Sequence, residues 1–309
     1  MKTYLFTVDV EEQSLIKNRL DDDVPNQLLE TGMPRVLDLL EKHQIKATFY
    51  YTGTIAESHP ELVKMALDKG HEIGCHGYDH SPNRAFDVLT YEEQVTDIRK
   101  AIQAIESAGH RPTAFRAPAA RMGKDTMKVL EKFDFTTDSS ISPQRFDGPM
   151  SFGSKRKMKW LFAPRGPYHP DVDSIFNRGT SSILEIPLTS LVIPYIGTLM
   201  RISPRTFRLL ESVITMEVGN SDMPVVFVFH PNECIDKGIM ERNRRSDSTI
   251  EHIFGDIIRQ ELKVKNLGMS AITLVDDMFN RIKRKGFEFM TVTEFATKYG
   301  SLYDTGELQ

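Results

Sequence analysis

The sequence predicts an α/β protein, a barrel of about seven parallel strands that are each followed by a helix. Short apolar strand-like runs alternate with amphipathic helical patterns through most of the 309 residues. Apolar strands that alternate with helices favour a mainly parallel sheet covered by helices. About seven such units suit a closed barrel better than an open sheet. Because no linker or repeat is visible, we predict one domain over residues 1–309.

The elements of the first half follow from apolar spacing and helix-start signals. The first strand starts at Thr3 and runs into an acidic segment. A capping box, in which Ser or Thr stands three residues before Glu, predicts the start of two helices. The two pairs are Ser58 with Glu61 and Thr90 with Glu93. The predicted strands are Ala47–Tyr51, His71–His76 and Thr113–Arg116, and the apolar helix faces are Met33, Val36, Leu37 and Leu40, then Leu62, Val63 and Ala66, then Val95, Ile98, Ile102 and Ile105.

The second half continues the alternation after a segment rich in Pro, Gly and Arg. We expect a loop-rich insertion near residues 142–182. The apolar run Leu191–Met200 is interpreted as a packed loop because Pro and Gly break it, with lipid contact by residues 188–200 as the alternative. The other predicted elements are the strands Phe135–Asp138, Ile183–Pro187, Val225–Phe229 and Phe287–Val292, the helix Met127–Phe133, and the helix faces Phe207, Leu210 and Ile214, then Ile272, Val275, Phe279 and Ile282.

Composition excludes several classes of protein. Hydrophobic residues make up 40% and charged residues 27% of the chain, which supports a large core and excludes a disordered chain. The net charge of −4 argues against a nucleic-acid partner. Two cysteines, Cys75 and Cys234, cannot form a disulfide framework or a four-cysteine zinc site. With no secretory-signal pattern and no apolar run of about 20 residues, we predict a cytoplasmic protein without a transmembrane segment.

Ionisable residues stand at the C-terminal ends of the predicted strands, where barrel enzymes collect their active-site groups. Asp9 and Glu11 are two residues apart, so the strand pleat directs both to one side. His76 and His80 follow the third strand, and two imidazoles with one carboxylate are a familiar ligand set for catalytic zinc. The remaining strand ends carry Arg116, Asp138 and His230.

Five short blocks, taken in order, resemble the polysaccharide deacetylase family, also called carbohydrate esterase family four. The order and spacing of the set carry the resemblance, since each block alone is a modest signal. The resemblance implies a distorted (β/α) barrel and a metal-dependent hydrolase that removes N-acetyl groups from an amino sugar or glycan. The blocks are Thr7–Glu11, His76–His80, Arg116–Pro118, Asp138–Ser140 and Val228–His230.

The resemblance implies a metal site built from the two histidines and one carboxylate. By that resemblance His76 and His80 bind Zn²⁺ or another divalent transition metal. We predict Glu11 as the carboxylate ligand because it alternates with Asp9 along the strand, and Glu12 is the alternative.

The resemblance also implies catalytic roles that agree with the chemistry of amide cleavage. Asp9 is the implied general base and His230 the implied general acid, with Arg116 bracing the base and Asp138 the acid side. An amide is cleaved by water only if the water is activated and the departing amine is protonated. A carboxylate near a guanidinium stays ionised, and an imidazole titrates near neutral pH.

The blocks depart from the commonest family form in three places. An Asp-Val-Glu sequence over residues 9–11 replaces a frequent Asp-Asp pair, Gly77 stands where Ser or Thr is usual, and Ala120 where Gly is common. These variants resemble the subset that includes cytoplasmic deacetylases and cyclic-amide hydrolases. The second hypothesis is therefore an allantoinase-like or imidase-like hydrolase, and the third, from another class, is a catalytically inactive glycan-binding domain.

Further residues are candidates for contact with the substrate. Pro118 and Ser139 lie within the matching blocks, and Trp160 either stacks on a sugar or packs in the core. A set of basic residues is either solvated loop charge or, if it borders the cleft, a sign of a phosphate-bearing substrate. A homo-oligomer is compatible with the sequence. The basic set is Lys155, Arg156, Lys157, Lys159, Arg165, Arg242, Arg244 and Arg245.

Overall fold

A curled sheet of parallel strands forms the centre of the computed structural model, which describes residues 2–17, 19–144, 160, 162–219, 221–238 and 259–304. Seven strands follow one another in the spatial order β11-β1-β4-β5-β6-β7-β8, and β12 pairs with the start of β1. The strands are β1 (Thr3–Val10), β2 (Gln13–Ser14), β3 (Arg19–Leu20), β4 (Thr48–Tyr51), β5 (Glu72–Cys75), β6 (Ala114–Phe115), β7 (Thr137–Asp138), β8 (Leu184–Glu185), β9 (Ser190–Leu191), β10 (Ile193–Pro194), β11 (Val225–Phe229) and β12 (Glu288–Phe289).

Helices cover the outside of this sheet and connect its parallel strands. The predicted distorted (β/α) barrel is therefore confirmed. The α-helices are α1 (Val24–Gln27), α2 (Met33–Lys42), α3 (Gly53–Ser58), α4 (Pro60–Asp68), α5 (Tyr91–Ser107), α6 (Thr126–Lys132), α7 (Gly197–Ile202), α8 (Pro204–Val218), α9 (Arg259–Lys263), α10 (Met269–Arg284) and α11 (Val292–Asp304). A π-helical turn spans Leu28–Gly32, and 3₁₀ turns span Pro82–Arg84, Pro118–Ala120 and Pro231–Cys234.

One of the two predicted capping boxes is present. Thr90 accepts from the backbone N–H of Glu93, whose carboxylate accepts from the backbone N–H of Thr90, and α5 begins there. The box predicted at Ser58 is wrong. Ser58 ends α3 and donates to the carbonyl of Thr54, so Pro60 starts the next helix without a side-chain cap.

The two faces of β1 belong to two different apolar clusters. Tyr4, Phe6 and Val8 pack outward in the large cluster that includes the helices. Leu5 belongs to a second cluster, on the opposite face, which also includes Phe295 of α11. Each fully buried aliphatic or aromatic side chain contributes roughly 1.5–3 kcal/mol, so these clusters fix the pleat of the strand. Beyond Leu5, the inward face of β1 carries the polar residues Thr7 and Asp9 toward the C-terminal end of the strand.

The barrel is distorted at the seam between β8 and β11. In the described part of the chain these two strands share no ladder, and the segment that follows β8 fills the gap instead. The backbone N–H of Thr189 donates to the carbonyl of Val226 at 3.3 Å, and the Thr189 hydroxyl accepts from the Val226 N–H at 2.8 Å. Ile196 makes an isolated bridge with Val228. One backbone hydrogen bond, one side-chain hydrogen bond and one isolated bridge thus take the place of a strand ladder at the seam.

The region of the predicted insertion is irregular where the structure describes it. Residues 162–183 contain turns and the isolated bridge Pro170–Arg178, and Tyr168 forms a further isolated bridge with Glu185 of β8. Arg165 of the basic set pairs with Glu217. The other members of the basic set, at positions 155–157, 159, 242, 244 and 245, lie outside the described residues. The single domain and the phosphate-bearing substrate stay predictions.

The apolar segment after β8 is mostly packed against the protein. Tyr195 and Met200 are buried, whereas Val192, at the tip of the β9–β10 hairpin, is 59% exposed. None of the helices that the structure describes combines the length and apolar character needed to cross a membrane. The cytoplasmic location stays a prediction.

Candidate active site

Two buried carboxylates lie at the C-terminal end of β1. Asp9 and Glu11 are each 6% exposed and continue the inward face that begins at Leu5. Parallel pairing aligns Val8 with Phe229 of β11 and Asp9 with Tyr50 of β4. The register therefore brings the ends of these neighbouring strands to the same rim of the barrel.

A buried arginine fixes the position of Asp9. Arg116 follows β6 and donates to Asp9 Oδ1 at 2.7 Å, to Thr7 Oγ1 at 2.8 Å, and to the carbonyl and hydroxyl oxygens of Ser139 at 2.9 and 3.0 Å. Its guanidinium lies 4.3 Å from the centre of the Tyr50 ring. Because all three guanidinium nitrogens are hydrogen-bonded, the Arg116 side chain is fixed in one conformation. The Asp9 carboxylate that it binds is fixed with it.

The same contacts keep Asp9 ionised. Burial alone would raise the pKa of this carboxyl, but the charges of Arg116, His76 and His230 outweigh burial and lower the pKa below its ordinary value. Asp9 is therefore available as a proton acceptor at neutral pH.

Glu11 and the two predicted histidines converge on one point. A carboxylate oxygen of Glu11 lies 2.7 Å from His80 Nε2 and 3.8 Å from His76 Nε2. One ligand atom from each of the three side chains lies within 4.8 Å of the others. The Nδ1 atom of His76 is 2.8 Å from the carbonyl of Arg116, which leaves its Nε2 atom facing the cluster. Two imidazoles and a carboxylate in this arrangement fit a divalent transition metal.

The alternative carboxylate, Glu12, points elsewhere. It accepts hydrogen bonds from the hydroxyls of Thr52 and Thr54. The pleat of the strand separates it from Glu11, as the two-residue alternation predicts. The structure thus brings Glu11, and not Glu12, together with the histidines.

The loop that carries the histidines needs glycine at position 77. Gly77 has φ of +69°, and a Cβ atom there would lie 3.1 Å from both Phe86 and Pro118. The backbone of the next residue, Tyr78, is anchored to α5, because its N–H donates to Asp97 Oδ1 at 2.8 Å. Burial raises the pKa of Asp97 to about 6, so this anchor is a strongly desolvated carboxyl. The departure from Ser or Thr at position 77 has a local steric reason.

His230 completes the rim on the side of β11. Its Nε2 atom lies 3.9 Å from an oxygen of Asp9 and 3.9 Å from an oxygen of Glu11. Its Nδ1 atom lies 3.2 Å from Glu233 Oε1. Burial would lower the pKa of His230, but the hydrogen bond with Glu233 and the charges of Glu11 and Asp9 raise it to about 9.

Asp138 does not brace the acid side as predicted. The carboxylates near the His230 ring are Glu233, Asp9 and Glu11, while Asp138 accepts from the Ser140 hydroxyl at 2.5 Å. The sequence pattern missed this difference because both carboxylates lie near strand ends and only the packing separates them.

Asp138 instead forms a buried carboxyl pair with Glu185 of β8. Burial raises the pKa of both groups, and the charge of Asp138 raises that of Glu185 further. Asp138 Oδ2 and Glu185 Oε2 have no other hydrogen-bond partner in the described structure, which leaves them to share a proton. Glu185 Oε1 accepts from the N–H of Ile141 at 3.0 Å. We assign the shared proton to Glu185.

Glu185→Gln is expected to preserve the fold, because the amide N–H replaces the carboxyl proton toward Asp138. The free energy of unfolding at pH 7 should change by less than about 1 kcal/mol, whereas Glu185→Ala should cost about 1–3 kcal/mol. Because folding raises the pKa of Glu185, its protonated carboxyl stabilises the parent at pH values below the pKa of this glutamate in the unfolded chain. That stabilisation is lost as the pH rises toward the raised pKa of the folded state. The melting temperature of Glu185→Gln relative to the parent should therefore rise with pH above about 4.5. A constant difference would contradict a protonated Glu185.

The three predicted substrate-contact residues are buried. Pro118 packs against the histidine loop, and Ser139 supports Arg116. Trp160 is only 4% exposed, which agrees with the alternative of core packing. After Pro118, Ala119 and Ala120 adopt φ of 52° and 53°, the conformation in which glycine is favoured. Pro118 and Ser139 thus support site residues from below the surface.

Several buried residues near the site were not predicted from the sequence. Glu233, Arg201, Asp97 and Glu185 each hold a group at the rim or just behind it. The three-residue spacing between His230 and Glu233 was a usable signal, because in a short 3₁₀ turn the residues at positions i and i+3 lie close together. Arg201 had no local signal, since it meets Glu233 only through the tertiary fold.

The fold and the site define an α/β barrel with a candidate metal centre at the carboxyl ends of its strands. A sequence model of the polysaccharide deacetylase family matches residues 21–137. The peptidoglycan deacetylase of Helicobacter pylori is 33% identical over 128 residues, which are 40% of this chain and 43% of that protein. The predicted resemblance to the polysaccharide deacetylase family is confirmed over residues 21–137. The match spans less than half of the Helicobacter protein.

Two solved structures have a similar fold over most of this chain. A putative polysaccharide deacetylase from Mycobacterium smegmatis is similar with a TM-score of 0.53 and 21% identity over 94% of each chain. An allantoinase is similar with a TM-score of 0.62 and 15% identity, over 97% of this chain and 90% of the other. At these identities the similarity concerns the fold.

Proposed function

We propose that this protein is a metal-dependent hydrolase that removes N-acetyl groups from an amino sugar or glycan. The observation that carries the proposal is the convergence of Glu11, His76 and His80 between a buried, ionised Asp9 and His230. The family match over residues 21–137 supports sugar N-deacetylation as the reaction class.

Glu11, His76 and His80 would hold the metal. A divalent ion bound there supplies Lewis-acid chemistry, which polarises a carbonyl and makes water easier to deprotonate. The fixed tautomer of His76, whose Nδ1 faces a backbone carbonyl, keeps one imidazole ready to act as a ligand.

Asp9 and His230 divide the proton transfers between them. Asp9 is held by Arg116 with one oxygen and directs the other toward His230, so the free oxygen can accept the proton of an attacking water. His230 presents Nε2 to the same gap, where it can donate a proton to the departing amine nitrogen. A base and an acid on opposite sides of one site are what amide hydrolysis requires, and binding alone requires neither.

The test measures acetate release by the metal-loaded protein from N-acetylglucosamine oligomers and from peptidoglycan fragments. We expect acetate and free amine in equal amounts, with loss of activity after chelation and recovery when the metal is restored. Ring opening of allantoin or a cyclic imide without acetate release would favour the cyclic-amide hydrolase. Glycan binding without either reaction would favour the inactive binding domain.

A further inference from the structure

A second buried carboxylate–arginine pair lies behind the imidazole of His230. Glu233 and Arg201 are 1% and 0% exposed. Glu233 Oε1 lies 3.2 Å from His230 Nδ1, while Arg201 Nε donates to Glu233 Oε2 at 2.5 Å. The carboxylate therefore contacts the imidazole with one oxygen and the guanidinium with the other.

The local turn returns Glu233 to His230. The 3₁₀ turn Pro231–Cys234 follows directly after His230, and the N–H of Glu233 donates to the His230 carbonyl at 3.0 Å. On the other side, a Cβ atom on Gly197 would lie 2.8 Å and 2.9 Å from the two carboxylate oxygens. The Glu233 carboxylate thus occupies a space that is open because residue 197 is glycine.

Arg201 is itself anchored by backbone carbonyls. Its Nη1 atom donates to the carbonyls of Lys263 and Lys265, each at 2.8 Å. Asn266 donates to the Arg201 carbonyl at 2.7 Å. A buried ion pair gains little stability, because both charges must leave water. The geometry of the Arg201–Glu233 pair is better explained by a role in orienting the His230 imidazole.

We propose that Glu233 is a positioning residue for His230, held in place by Arg201. Its carboxylate accepts the Nδ1–H, which fixes the plane of the ring and directs Nε2 into the gap between Asp9 and Glu11. The arrangement mirrors the other side of the site, where Arg116 holds Asp9. The inference rests on the proposed function in one respect: it takes His230 as the group that protonates the leaving amine.

The kinetic test compares two substrates whose leaving groups differ. In Glu233→Gln, kcat for N-acetyl hydrolysis should fall about 100-fold with little change in KM, because the amide presents an N–H to Nδ1 in place of an acceptor. Hydrolysis of 4-nitrophenyl acetate should fall less than about threefold, since its phenolate departs without protonation. The control is Glu217→Gln, whose carboxylate pairs with Arg165 at the surface, and it should match the parent. Equal losses on both substrates would overturn the proposal.

A second readout does not depend on turnover. The ¹⁵N resonances of His230, assigned by their loss in His230→Gln, should show a protonated Nδ1 in the parent and shift in Glu233→Gln. Gly197→Ala should cause a similar shift, because the added methyl displaces the carboxylate without removing it. Unchanged His230 resonances in both folded variants would overturn the positioning role. A parent without deacetylase activity but with the expected resonances would instead refute the proposed function alone.

Discussion

Asp9→Asn should retain the metal and lose at least about 1000-fold in kcat for acetate release, within the range attributed to a general base. The amide oxygen can still accept from Arg116, so the local geometry is preserved. An amide cannot take a proton from water at neutral pH, and the reaction therefore lacks its acceptor. Steady-state kinetics with metal analysis on the same preparation separates the two properties.

The matched control for Asp9→Asn is Glu12→Gln. Glu12 follows the same strand but bonds to Thr52 and Thr54, away from the site. It should keep kcat within about twofold of the parent. An Asp9→Asn variant with activity within tenfold of the parent would contradict the assignment of Asp9 as base.

His80→Ala and Glu11→Gln are expected to weaken metal binding more than about 100-fold, since loss of an outer-shell partner alone costs 10–100-fold. Each change removes one of the three converging ligands. Metal content after dialysis, and affinity by competition with a chromophoric chelator, measure the effect. Activity should fall in parallel with occupancy and recover partly at high metal concentration.

Two controls distinguish ligand loss from a general effect of histidine or carboxylate removal. His59→Ala alters an exposed histidine bonded to Ser58 and Asn26 and should leave the metal content unchanged. Glu12→Gln should do the same. Metal retained by His80→Ala, or lost equally in Glu12→Gln, would contradict the proposed ligand set.

The sequence was sufficient for the parts of the site that local periodicity determines. The two-residue repeat of β1 places Asp9 and Glu11 on one face, and the structure shows both buried at that strand end. His76 follows β5 directly, as the apolar run before it predicts. Alternating strands and helices also predicted the barrel, because the connections between parallel strands leave few other topologies.

Other parts depend on packing between distant segments, which a single sequence does not display. Arg201 and Glu233 are 32 positions apart and meet through the position of α7 beside β11. Asp138 was predicted to brace the acid side, yet its partner is Glu185 on the next strand. Strand lengths were also overestimated at β6, because only two residues there pair with a neighbouring strand.

The pleat of β1 couples the hydrophobic core to the chemistry of the rim. Leu5 and Asp9 share one face of the strand, and Tyr4 and Phe6 share the other. Inserting or deleting a single residue before Asp9 would exchange the two faces. Both carboxylates would then turn toward the helices. Laboratory evolution of this protein should therefore accept only substitutions of similar size and polarity along β1 and reject length changes, and new specificities should arise in the loops that surround the rim.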